Sequence, residues 1–144
     1  MISKVMYVGF AVAGFLLAGY CVFSITWSPL WLFSKYRSMR QLIIAQAKHE
    51  TANFTSSLYW RAWNCFGMRI ATVRKQTRIG ETNGYARYWS PYQSLRDLFL
   101  WFDFHNLNPS TITNARHYAM YLKSKGYYTD TATNYARGLE YFMS

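Results

Sequence analysis

Acidic side chains, cysteine and histidine are all scarce in this chain. Its 144 residues hold 6 Asp and Glu against 16 Lys and Arg, a formal net charge of +10. That sign calls for an anionic partner: nucleic acid, lipid headgroups or cell-wall polymer. The two cysteines, Cys21 and Cys65, fall in different parts of the chain, one in a long apolar run and one beyond it, which excludes a disulfide framework. Cys65 sits in an apolar N-C-F-G turn, a poor setting for a thiolate nucleophile. The histidines, His49, His105 and His117, are far apart, and His49-Glu50 lacks the later histidine of H-E-x-x-H. No metal site and no cofactor is expected. No glycine-rich phosphate loop, internal repeat or low-complexity segment is present. The one dense basic run, "RIATVRKQTR", reads as a solvated face or one drawn to anionic wall polymer and lipid, so no specific nucleic-acid partner is expected.

What is present begins with an apolar stretch. Residues 5–23, "VMYVGFAVAGFLLAGYCVF", carry no charge. As a helix they would extend roughly 28 Å, close to the hydrocarbon thickness of a bilayer. The expectation is a retained single-pass anchor over residues 1–25, held in a lipid membrane through residues 5–23. Trp27, Trp31 and Tyr36 suit an interfacial aromatic belt. Residues 26–37 read as a linker and 38–144 as one domain. Lys35, Arg37 and Arg40 follow the run while only Lys4 precedes it. That bias would leave the domain cytoplasmic, unless it is too small to govern and the domain stands in the bacterial cell envelope, or the chain sits in the internal membrane of a virion.

The domain reads as mainly α with a small β lobe, an α+β plan. Helical spacing predicts a helix from about 38 to 49, with Ile43, Ala47 and Glu50 on one face. Residues 53–69 read as irregular or a short helix with a turn at Gly67. Asn83-Gly84 predicts a two-stranded hairpin. Ser90-Pro91-Tyr92-Gln93 predicts a capping box that opens a helix bearing Leu95, Leu98, Phe99 and Phe102. Asn108-Pro109 is expected to open the next helix, with Tyr118 and Leu122 on its face and Gly126 at its end. A last helix is expected from about 131 to 142, apolar at Tyr135, Leu139 and Phe142.

Glu50 is the acid that asks for an explanation. It closes an apolar face and stands at a helix C-terminus, where the macrodipole disfavours negative charge. Both effects push a carboxyl pKa up. A carboxylic acid kept protonated near neutrality can donate to a leaving oxygen. The competing reading is an ordinary surface glutamate paired with Lys48 or Arg61.

Four stretches bear on that choice. "AQAKHETANF" (45–54) resembles A-Q-A-x-x-E-S-G-W-G, and "NCFGMR" (64–69) resembles N-L-F-G-I-K. "YWSPYQSLRDLFLWF", from Tyr88, is similar to Y-x-S-x-x-E-S-F-x-D-Y. "YLKSKGYYTDTATNYARGL" (121–139) is similar to L-x-x-A-G-Y-A-T-D-P-x-Y-A-x-x-L. These patterns, in this order, are those of the flagellar-type endo-β-N-acetylglucosaminidases, peptidoglycan hydrolases of the lysozyme superfamily. The chain departs from them at Thr51-Ala52-Asn53, at Tyr128, and in lacking the proline after Asp130.

The resemblance implies a lysozyme-like helical domain that cleaves peptidoglycan glycan strands, with Glu50 as general acid. It implies a second acid on the β lobe, where Glu81 is the only acid, and a supporting tyrosine at Tyr127. Assistance by the substrate's own acetamido group is the alternative to a second carboxylate. Phe54, Tyr85, Tyr88 and Tyr128 are the aromatic residues expected to line a sugar groove. Muramidase and lytic transglycosylase chemistry on the same fold stay open. So does a non-catalytic, glycan-binding or structural virion membrane protein. A membrane-tethered lysin without wall-binding repeats would suit a bacteriophage.

Overall fold

The structure is a computed structural model that describes residues 19–20 and 24–144. The proposed anchor over residues 5–23 therefore lies outside the described residues, apart from Gly19 and Tyr20. Among the described residues no helix is long and apolar enough to cross a membrane.

A short helix α1 (Leu30–Phe33) and a 3-10 turn (Arg37–Met39) lead into α2 (Arg40–Glu50) and α3 (Ser57–Ala62). A hairpin, β1 (Gly80–Thr82) with β2 (Tyr85–Arg87), precedes α4 (Pro91–Phe104), a 3-10 turn (Pro109–Thr111), α5 (Ala115–Ser124) and α6 (Ala132–Met143). This is a mainly helical domain with one antiparallel hairpin, consistent with a lysozyme-like fold.

Helix α6 packs against both α5 and α2 and joins the C-terminal end of the chain to the helix carrying Glu50. The inner face of α2 is Leu42, Ile43, Ala45, Gln46 and Ala47, all buried. Tyr118, Ala119 and Leu122 from α5 meet the same core as Tyr135, Ala136 and Leu139 from α6. Burying such side chains contributes about 1.5–3 kcal/mol each for the larger ones.

The segment 26–37, expected as a linker, lends two aromatic side chains to the core. Trp31 and Tyr36 are buried. The Trp31 indole N–H donates to Ile25 O at 2.6 Å and its ring stands edge-on to Phe99 at 5.4 Å. Tyr36 lies against Phe99 and Phe102, and its hydroxyl donates to Asp103 Oδ1 at 2.7 Å. An aromatic ring whose polar tip is satisfied loses nothing by burial. Of the three expected belt residues, only Trp27 is exposed.

Local signals set most helix ends. Ser56, Asn114 and Thr131 accept backbone N–H groups as N-caps of α3, α5 and α6. The expected capping box at Ser90 does not form. The Ser90 side chain makes no cap bond, and the Gln93 N–H donates to the Ser90 carbonyl instead. Pro91 at the first turn suffices to start α4. Asn108-Pro109 opens only a 3-10 turn, because the chain becomes extended at Ile112 and α5 starts afresh from the Asn114 cap. Gly126 ends α5 with φ +70°. There the N–H groups of Gly126 and Tyr127 return to Lys123 O and Leu122 O, both at 3.0 Å.

The β lobe is smaller than its composition suggests. The strands have three residues each, extended by one bridge between Arg69 and Tyr85. Residues between are an irregular strap held on Asp97, which is fully buried on α4. Asp97 accepts from Arg74 Nη1 at 2.7 Å, Arg74 Nη2 at 3.2 Å, Gln76 at 2.9 Å and Tyr88 at 2.6 Å.

Candidate active site

Glu50 is the last residue of α2, and the turn after it is unusual. Ala52, Asn53 and Phe54 take φ of 48°, 56° and 64° in succession. None is glycine, and non-glycine residues in this region cost of order 1 kcal/mol or more each. Thr51 holds the turn from within: its hydroxyl donates to Ala47 O at 2.6 Å and accepts the Phe54 N–H at 2.8 Å. Phe54 is thereby turned inward, edge-on to Tyr59 at 5.5 Å.

The opposite side of the carboxyl is shaped by the N-C-F-G turn. The buried Asn64 amide donates to Met68 O and Ala86 O, each at 2.8 Å, and its carbonyl accepts the Met68 N–H at 3.0 Å. That wiring ties the turn to β2. Gly67 has φ +61°, and a Cβ there would lie 3.2 Å from Glu50 Oε2. A glycine is needed for the backbone angle and for the close approach.

The third side is α6. Tyr135 OH donates to Glu50 Oε1 at 2.5 Å. The Tyr135 ring stacks flat on Tyr128 at 3.9 Å and receives the edge contact of His49 at 4.9 Å. Gly138, one turn along α6, makes room for the His49 ring: a Cβ there would come within 2.4 Å of it.

Burial pushes the Glu50 pKa up, and the Tyr135 hydrogen bond offsets this only in part. Burial also raises the hydroxyl pKa values of Tyr118, Tyr127 and Tyr135, and charge on Glu50 adds to each. His49 is pushed down by burial, against a smaller opposing effect of Asp130. Among the described residues the ion pairs are Lys35–Asp103 and Arg74–Asp97, so Glu50 is not neutralised by Lys48 or Arg61.

Glu50 opens into a groove of about 690 Å³, within the range of small-ligand sites. Trp101, Phe104, Tyr85, Tyr127 and Tyr128 give it aromatic walls, and Arg69, Arg74 and His105 give it polar ones. Among the described residues no other acid lines it. A carboxyl biased toward its protonated form, beside flat rings in a sugar-sized cleft, can protonate a glycosidic oxygen.

The family model described as mannosyl-glycoprotein endo-beta-N-acetylglucosaminidase matches residues 32–144. The chain belongs to the glucosaminidase family. It is accordingly a glycoside hydrolase acting on peptidoglycan. No curated protein and no solved structure matches it.

Within the glucosaminidase domain, Glu50, Tyr85, Tyr127 and Tyr128 share the groove. Glu81 does not reach it. It pairs with Ala86, and side chains alternate along a strand, so Glu81 stands on the hairpin face opposite Tyr85. Phe54 and Tyr88 are also outside it, both buried to 2% exposure or less. The Tyr88 hydroxyl is spent on Asp97. Tyr127 lines the groove with its ring, edge-on to Trp101, while its hydroxyl donates to the Phe66 carbonyl.

Helical spacing marks Tyr135 only as an apolar residue of the last helix. Its further signal is its place at the second tyrosine of the closing pattern. Asn64 and Gly67 are likewise legible as motif letters but not as parts of the site, and Trp101 matches no letter of the patterns.

Proposed function

We propose that this glucosaminidase domain is an endo-β-N-acetylglucosaminidase in which Glu50 is the general acid. The observation that carries the reading is a half-buried carboxyl, in no ion pair among the described residues, hydrogen-bonded by Tyr135 and opening into a groove. Protonated Glu50 gives its proton to the glycosidic oxygen as the C1–O bond breaks. Glu50 is the only acid lining the groove among the described residues, so the acetamido oxygen of the substrate is assigned the attack on C1. Water then adds to C1 of that cyclic intermediate, and the Glu50 carboxylate takes the water's proton. Tyr85 and Tyr128, which line the groove, are assigned contacts to the sugars.

A single acid also suits lytic transglycosylase chemistry, in which a sugar hydroxyl replaces water. Products distinguish the readings. Digested peptidoglycan should yield new reducing-end N-acetylglucosamine by mass analysis after borohydride reduction. Reduced muramic acid would mean muramidase, and anhydromuramic acid a transglycosylase.

The tether belongs to the same proposal. The apolar run at 5–23 is assigned as a lipid anchor that holds the enzyme in an envelope or virion membrane. Retention in the membrane fraction after an alkaline wash supports this, and release by that wash argues against it.

A further inference from the structure

The groove wall beyond Gly67 carries a charge that the hydrolytic step does not use. Gly67 lies so close to Glu50 that an added Cβ would be 3.2 Å from its carboxyl, and the chain runs on through Met68 to Arg69, Ile70 and Ala71, all along the groove. Arg69 therefore lines the same groove as the acid, two residues beyond Gly67.

Arg69 is held rather than loose. Its guanidinium lies over the Tyr85 ring, 4.7 Å from the centroid, and Nη2 donates to the Tyr85 hydroxyl at 3.4 Å. Its carbonyl accepts from Gln76 at 2.9 Å, and the residue bridges to Tyr85 across the hairpin. Arg74, the other arginine of the groove, is neutralised by Asp97. His105 is kept toward its neutral form by burial and by the nearby cations Lys125 and Arg74. No acid of the described residues pairs with Arg69. The groove thus presents one pre-oriented, uncompensated guanidinium beside its acid, and guanidinium forks bind carboxylates in a bidentate manner.

We propose that Arg69 is a binding residue for the free carboxylates of the peptide stem borne by the muramic acid next to the cut. The proposal rests on the glucosaminidase reading above. It makes the enzyme selective for peptide-bearing glycan over naked glycan.

The test uses the full-length chain and three substrates: glycan strands with stem peptides, the same strands with stem carboxylates amidated, and strands stripped of peptide by an amidase. The wild type is expected to cut the first with a kcat/KM about 10-fold above the other two, mainly through KM. R69Q should cut all three at the wild type's lower rate, and R69K should keep part of the preference. Equal rates of the wild type on all three would overturn the proposal, as would R69Q retaining the full preference. The amidated arm changes the charge of the substrate and leaves the protein fold untouched. Failure of the glucosaminidase reading would show separately, as the wrong reducing end on every substrate, while the preference is still scored by rate.

Discussion

Tyr135 on the last helix donates a hydrogen bond to Glu50 at the end of α2, 2.5 Å away and 85 residues apart in sequence. The contact is clamped from both sides, by the flat stack on Tyr128 and the edge of His49. It joins the two ends of the domain at one carboxyl.

Removing that hydroxyl has a defined sign. Burial raises the Glu50 pKa and the Tyr135 hydrogen bond lowers it. In Y135F the lowering is lost. The basic limb of the kcat/KM profile, set by ionisation of the acid, should move to higher pH. The acid should also be less well placed, with kcat falling about 10-fold. A pH–rate series on solubilised glycan reads both, and an unmoved limb would separate Tyr135 from Glu50.

Stability should follow the same carboxyl. Its pKa in the folded chain lies above the ordinary 4.5, so the folded state holds the proton more tightly than the unfolded one. That stabilisation is complete at pH below about 4.5 and is lost as pH rises through the folded value. E50Q carries no such charge. Its Tm should exceed that of the wild type by a few degrees at pH 8 and approach it at pH 4, read by thermal melts across pH.

Gly138 is a packing requirement in a helix where alanine would otherwise be favoured. Helix propensity gains about 1 kcal/mol for G138A. The added Cβ meets the His49 ring at 2.4 Å, so that ring must shift. Overpacking of this kind costs about 1–3 kcal/mol. The expected result is a small net loss of stability with a larger loss of kcat, because the His49 ring packs edge-on to Tyr135. Denaturation midpoints and turnover on one preparation decide it.

Asp97 holds the strap that forms one groove wall. D97A would leave the Arg74 side chain, 7% exposed, buried without its partner. Breaking such a pair costs about 3–5 kcal/mol. Urea unfolding should show that loss, and D97A/R74M should recover part of it. KM should rise in the single variant.

Much of the fold was legible because its signals are local. The Asn83-Gly84 hairpin, the Pro91 helix start and the Gly126 helix end each depend on a few neighbouring residues. Glu50 was legible for the same reason, as an acid ending an apolar helix face. What the sequence concealed was direction. Tyr85 and Tyr88 read alike, yet one lines the groove and the other is committed to Asp97. Glu81 is on the expected hairpin but on its far face, since register decides sides and composition does not. Trp31 and Tyr36 resembled interfacial residues until Phe99 and Phe102 supplied a core for them. Tyr135 needed a contact across the chain that no local pattern encodes.

The most direct measurement is glycan cleavage by wild type and E50Q on purified peptidoglycan, with both proteins shown folded by circular dichroism. Clearing by the wild type and a loss of at least 100-fold in the variant are expected, since an amide of the same shape cannot act as the acid. Equal clearing by the two proteins would contradict the role of Glu50 as that acid.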